Sequence, residues 1–198
     1  MSKMRDAQKS FIIEEALKLF LSKSIEEVTM SEIARTVEIG DATLYRYFTK
    51  KQNIIVLAAI SLSRKAFDAY FNFEGLEPVE VVRKFYTNYL TIFKEHREFF
   101  RFVNEFDAFI INENYDSSNY ETGVDLYKEK FLDAYGKAVK EGKVREFPNV
   151  DSYYYATTHV LLDLGKRLSR NKKIVSTDEN NYDELKIMVE IILNSLIK

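Results

Sequence analysis

Chemistry in this chain concentrates in residues 29–51. Thr29 followed by Glu32 has the spacing of a capping box, in which the hydroxyl takes the backbone N–H of the third helical residue and the carboxylate turns back. It opens a short helix carrying Ile33, Ala34 and Val37; a break follows at 38–40, and 41–48 makes a second short helix. Ile33, Ala34, Val37, Ile39, Leu44 and Phe48 can all face one neighbouring helix. That leaves Ala42, Thr43, Tyr45, Arg46 and Tyr47 on the open side. Small residues at Ala42 and Thr43 allow close approach to the floor of a groove, while Arg46 and the tyrosines reach phosphates or base edges. Lys51 opens the next helix, where its charge and the first amides would both meet a phosphate. Two short helices joined by a tight turn are the geometry of a helix-turn-helix spanning about 30–48. An ordinary helical hairpin, with Lys51 a solvated surface lysine, has the same pattern.

Catalysis finds little support. There is no cysteine, hence no disulfide, thiolate zinc site or cysteine nucleophile. His96 and His159 are the only histidines, and neither belongs to a Glu-x-x-His pair. His159 and Asp163 stand four apart, a spacing that helices produce by chance. No Gly-rich phosphate loop and no nucleophile elbow is present. We expect no enzymatic activity, no cofactor and no metal.

A second chemistry is aromatic. Of the 28 Phe and Tyr residues, 22 fall between Phe67 and Tyr155. Such rings serve first as core, yet a pocket lined by Phe and Tyr with a few polar groups is also how small apolar ligands are held. The candidates are Phe67, Tyr86, Tyr89, Phe93, Phe102, Phe106, Tyr127, Phe131, Tyr155 and His159. Glu105, Asp107 and Asp163 lie near apolar stripes and could pair with a cationic ligand, or meet Arg101 or Arg167 instead.

The elements that must position these groups are helical almost throughout. The chain has 198 residues, 46% hydrophobic and 30% charged, with only 6 Gly and 2 Pro, too few for the turns of a sheet protein. Helix-period stripes predict helices near 6–22, 30–37, 41–48, 51–71, 79–94, 98–111, 120–141, 151–170 and 177–197, with an exposed loop at 112–120 and a left-handed cap at Gly142. No stretch approaches a membrane span and no apolar leader opens the chain, so the expected class is a soluble, cytoplasmic, all-α protein of about nine helices. The net charge is −2, split as +1 up to Lys51 and −3 beyond. Any DNA contact must therefore use a local patch, not a global positive field. Lys3, Arg5 and Lys9 add a loose basic arm. The expected division is a helix-turn-helix domain at 1–52, linked through the fourth helix to a larger helical bundle at 53–198.

At these residues the chain resembles the tetracycline-repressor (TetR) family of transcriptional regulators. The resemblance starts at Ile12-Ile13 with Ala16, Leu19 and Phe20. It passes through Val28-Thr29 and Ile33-Ala34 and ends in Thr43-Leu44-Tyr45-Arg46-Tyr47-Phe48 with Lys51. It covers about the first 60 residues and implies a homodimeric, ligand-responsive DNA-binding regulator, usually a repressor. Three positions depart from the family pattern. Glu38 stands where the turn usually has Gly, so a positive φ there would strain it. Gly40 replaces a common Ser or Thr, and Ser24 a common Gly. Asp41 also matters, because a carboxylate at the groove entrance repels phosphate unless it accepts from a cytosine amino group or a basic neighbour.

The last helix is apolar on more than one side. Leu185, Met188, Val189, Ile192 and Leu196 fill one stripe, and Ile187, Ile191 and Leu193 fall outside it. With Val160, Leu161, Leu164 and Leu168 of the preceding helix, and Met188, Ile191 and Ile192 of the last, two copies would form a self-complementary four-helix interface. Two functions remain open from the sequence. One is a regulator, most simply a repressor released from a palindromic operator by a small apolar or aromatic molecule. The other is a helical adaptor that keeps the helix-turn-helix shape without using it on DNA.

Overall fold

The computed structural model describes residues 2–113, 118–170 and 182–198. Among them run nine helices: α1 Ser2–Ser22, α2 Met30–Thr36, α3 Asp41–Tyr47, α4 Lys51–Tyr70, α5 Pro78–Glu95, α6 Arg97–Glu113, α7 Ser118–Lys140, α8 Val150–Ser169 and α9 Tyr182–Leu196. The all-α expectation holds. α1 begins earlier than its apolar stripe, so the expected basic arm is its exposed first turns. Of the loop expected at 112–120, residues 112, 113 and 118–120 are helical and 114–117 lie outside the described residues; so do 177–181, the expected start of α9.

The chain divides into two compact units, Met1–Lys65 with Arg101–Gly123, and Ala66–Phe100 with Val124–Lys198. The first unit is larger than the 1–52 segment, because it takes in most of α4 and α6. Its core joins Ile12, Ala16 and Phe20 of α1 to Ile33, Ala34, Leu44 and Phe48, with Ile54 and Ala58 of α4. Phe102 and Phe106 of α6 complete it, Phe102 lying 6.3 Å from the Phe20 ring. Polar bonds hold α6 there. Arg101 donates to the carbonyls of Phe20 and Leu21 at 3.1 and 2.6 Å, the end of α1 where helical carbonyls lack partners. Its other Nη donates to Glu105, whose carboxylate accepts the Ile25 N–H at 2.7 Å. Glu14 of α1 bonds Ser61 and Lys65 of α4. Burial pushes its carboxyl up, but these partners outweigh burial and leave it below the ordinary glutamate value.

The second unit is an aromatic core. Phe71, Phe85, Tyr86, Tyr89, Phe93, Phe100, Phe131 and Tyr154 are buried with Leu161, Leu168, Leu185, Val189 and Ile192. Gly165 of α8 lets the Phe100 ring lie against the helix backbone, where a Cβ would stand 2.4 Å from ring carbons. Arg97 donates to the Leu168 carbonyl at 2.7 Å, near the negative end of α8, with its guanidinium 4.9 Å from the Phe93 ring centre. Beyond the end of α7 at Lys140, Gly142 has φ +73°, the left-handed cap its sequence predicts. The chain's last residues then pair with the α7–α8 loop, Arg145 N–H to Leu196 O at 2.8 Å and Lys198 N–H to Lys143 O at 3.0 Å.

Candidate nucleic-acid interface

The Thr29 cap of α2 forms as its spacing predicts. Thr29 adopts extended backbone and its hydroxyl accepts the Glu32 N–H at 3.1 Å. The Glu32 carboxylate pairs with Lys23 at 2.5 Å, and chiefly this pairing holds it below the ordinary glutamate value. α2 thus starts at a fixed point and buries Ile33 and Ala34. The turn to α3 passes through Glu38, whose φ is +56°. Glu38 is the single non-glycine residue with positive φ among the described residues, so the strain that such a φ would bring is present here. Gly40 is the N-cap of α3 and contributes no side-chain bond.

α3 buries Leu44 completely, and Phe48 just beyond it is 4% exposed. These two anchors set the rotation of the helix. Asp41, Ala42, Tyr45 and Arg46 face outward, Tyr45 at 49% exposure, while Thr43 and Tyr47 are half-buried at the flanks. Ala42, Thr43, Tyr45, Arg46 and Tyr47 of the predicted set thus share one short helix, while Thr29 caps α2 and Lys51 starts α4. Lys51 begins α4 half-buried, its ammonium 3.4 Å from the Glu26 carbonyl; burial draws its pKa down, against the opposite pull of the Glu26 carboxylate. Sequence reasoning missed Ser31. Its hydroxyl, on the first turn of α2, donates to Asp41 at 2.5 Å. Nothing in the residue types announces that bond, because it joins two different helices across a turn.

Residues 12–58 match the model of the bacterial regulatory proteins of the tetR family. The match runs from α1 through the helix-turn-helix to the first turns of α4. No curated protein sequence matches the chain, but solved TetR-type folds do along its whole length. A transcriptional regulator from Saccharomonospora viridis, solved in complex with choline, aligns over all of both chains with a TM-score of 0.78 at 16% identity. The ketosteroid regulator KstR2 of Mycobacterium tuberculosis aligns over 96% of this chain and 95% of its own, with a TM-score of 0.62 at 16% identity. The TetR-family regulator PfmR of Thermus thermophilus aligns over 94% and 99%, with a TM-score of 0.61 at 20% identity. At these identities the likeness shows the fold, a helix-turn-helix domain followed by a helical domain.

The ten ligand candidates separate into three places. Tyr86, Tyr89, Phe93 and Phe131 are buried in the second unit, with Phe67 and Tyr127 half-buried against them, edge to face at 5.1 Å. Burial pushes the Tyr86 and Tyr89 phenols well above the ordinary tyrosine value. Phe71, Phe85 and Tyr154 stand among these rings and were missed; Phe71 follows Phe67 by four residues, a spacing that marks one helix face. Phe102 and Phe106 are not part of this group, since both belong to the core of the first unit. Tyr155 and His159 are exposed on α8, where Tyr155 meets Lys128 and the His159 ring. A separate cleft of about 390 Å³ opens beside the α4–α5 loop near Phe73, Leu76, Val81, Lys130 and Lys137, and none of the ten candidates lines it.

The interface candidates divide as well. Leu161, Leu168 and Ile192 turn inward onto their own core, and Leu164 and Met188 are half-buried. Val160 and Ile191 face outward at 43% and 55% exposure, joined by Ile187 at 56%. Among the described residues no helix is long and apolar enough to cross a membrane, and no group of three metal-ligating side chains gathers.

Proposed function

We propose that this chain is a homodimeric transcriptional repressor of the TetR family. Its operator is palindromic, and a small apolar or aromatic effector held by the second unit releases it. The observation that carries the reading is α3. Leu44 and Phe48 pin the helix from behind, and Ala42, Thr43, Tyr45, Arg46 and Tyr47 are left for a major groove, with Lys51 beside them for a phosphate. Thr29 supports the same surface by fixing the start of α2. One seven-residue helix contacts few bases, so two copies related by a dyad must read the site together. The effector acts by binding one dimer conformation better than the other and shifting the population away from the one that matches two half-sites.

The rings around Tyr86, Tyr89, Phe85 and Phe131 support an apolar effector, and the faces of such rings also attract organic cations. The choline held by the Saccharomonospora regulator makes quaternary ammonium compounds a sensible second class for a thermal-shift panel.

The deciding experiment is titration of DNA from the chain's own upstream region across a range of salt. A tight specific complex with a steep, linear dependence on log salt is expected. The Tyr45/Arg46/Lys51 triple alanine variant, verified as folded, should lose that complex. Unchanged binding by the triple variant would overturn the assignment and favour a helical adaptor that does not read DNA.

A further inference from the structure

Asp41 is the residue on the reading surface whose charge is wrong for DNA. It is the first residue of α3, it is exposed, and it makes no ion pair within 4 Å among the described residues. Its one bond is neutral: the Ser31 hydroxyl donates to Oδ2 at 2.5 Å. A carboxylate placed beside phosphates without a cation weakens binding to every sequence alike. Ser31 does not remove that charge. It fixes the orientation of the carboxylate and occupies one oxygen, so Oδ1 remains as an acceptor.

In a helix-turn-helix the first residues of the second helix are the ones that meet base edges. We propose that Asp41 is a specificity-determining residue that accepts a hydrogen bond from the N4 amino group of a cytosine in each half-site, with Ser31 as its positioning residue. This rests on the DNA-reading function proposed above. The major-groove edge decides which base. Cytosine presents only its amino donor there, whereas adenine sets its amino group beside the N7 acceptor, which repels a carboxylate; guanine and thymine present acceptors. The unfavourable charge is thereby offset at one base and at no other, so Asp41 acts chiefly by excluding wrong sequences.

Selection from a random-sequence DNA duplex library at fixed salt tests this with the full-length chain, alongside Asp41→Asn, Asp41→Ala and Ser31→Ala, each verified as folded by its thermal transition. The wild type should enrich a dyad-symmetric sequence with cytosine at one position of each half-site. Asp41→Asn should change that position alone to adenine, the base whose N6 and N7 an asparagine matches. Asp41→Ala should leave the position without preference, a loss of roughly tenfold in competition between matched and mismatched duplexes. Ser31→Ala should keep cytosine but discriminate less. If the two Asp41 variants enrich the wild-type sequence at every position, or the position they alter is not cytosine in the wild type, the proposal is overturned while DNA reading stands. If the wild type enriches nothing, DNA reading fails and takes this proposal with it.

Discussion

Glu38 holds a backbone conformation that its side chain disfavours. At φ +56° the Cβ of an L-residue crowds the following carbonyl, at a cost of about 1–2 kcal/mol, part of which glycine would give back through its greater freedom in the unfolded chain. Glu38→Gly should therefore stabilise the protein by about 1 kcal/mol, raising Tm by roughly 2–4 °C in a chain of this size. It also removes an exposed carboxylate near the reading helix, so affinity for DNA of any sequence should not fall. A melting curve and a salt titration check both, and an unchanged or lower Tm would show that the turn carries no strain. Residue by residue, the geometry of α2 and α3 was largely legible. Thr29 and Glu32 announce a cap because the bond they make is local, and Leu44 and Phe48 fix which side of α3 is hidden. The Ser31–Asp41 bond was not legible, since it depends on the angle between two helices that no local pattern encodes.

Two glycines inside helices separate local propensity from packing. Gly136 of α7 has nothing within 4 Å of where a Cβ would stand, so Gly136→Ala should stabilise by about 1 kcal/mol through helix propensity alone. Gly165 of α8 offers the same propensity gain, but its Cβ would meet the Phe100 ring at 2.4 Å. That ring is fully buried, between Phe93 and Phe99 at 5.6 and 5.4 Å, and cannot swing aside. Overpacking of this kind costs typically about 1–3 kcal/mol, so Gly165→Ala should lower stability where Gly136→Ala raises it. Thermal melts of the two variants are the measurement, and a stable Gly165→Ala would show that α6 and α8 are not tightly seated. The nine helices were readable because period and punctuation are properties of each segment. The partners of each face were not. α6 carries one stripe through Phe99, Phe102, Phe106 and Phe109, yet Phe99 packs against the core of one unit while Phe102 and Phe106 are buried in the other. Periodicity reports that a face is apolar; which core receives it is decided by the rest of the chain.

For the whole molecule, the proposed reading requires two chains, and the surface of α8 and α9 says where they would meet. Leu185, Val189, Ile192 and Leu196 are spent on the internal core, as is Leu161 of α8. What remains outward is Val160 on α8 and the pair Ile187 and Ile191, one turn apart on α9. Large apolar side chains on one exposed helix face favour a covering surface, and a second copy of the same face supplies it in a closed, two-fold arrangement. Ile191 stands at 55% exposure, so a charge there should leave the monomer's core intact while burying an unpaired carboxylate in the dimer. Ile191→Glu is thus expected to fold with a near-native Tm at high dilution, yet to sediment as a 23.3 kDa monomer at micromolar concentrations where the wild type sediments at twice that mass. Ile192→Glu is the contrasting variant: with 5% exposure its charge would enter the core and unfold the second unit. Because operator binding needs two reading helices on one face of the duplex, Ile191→Glu should lose tight binding to a palindrome together with dimerisation. It should retain the weak, salt-sensitive affinity of a single head for any DNA. A folded Ile191→Glu variant that remains dimeric would place the interface elsewhere, and a wild-type monomer that binds a palindrome without cooperativity would remove the dimer from the mechanism altogether.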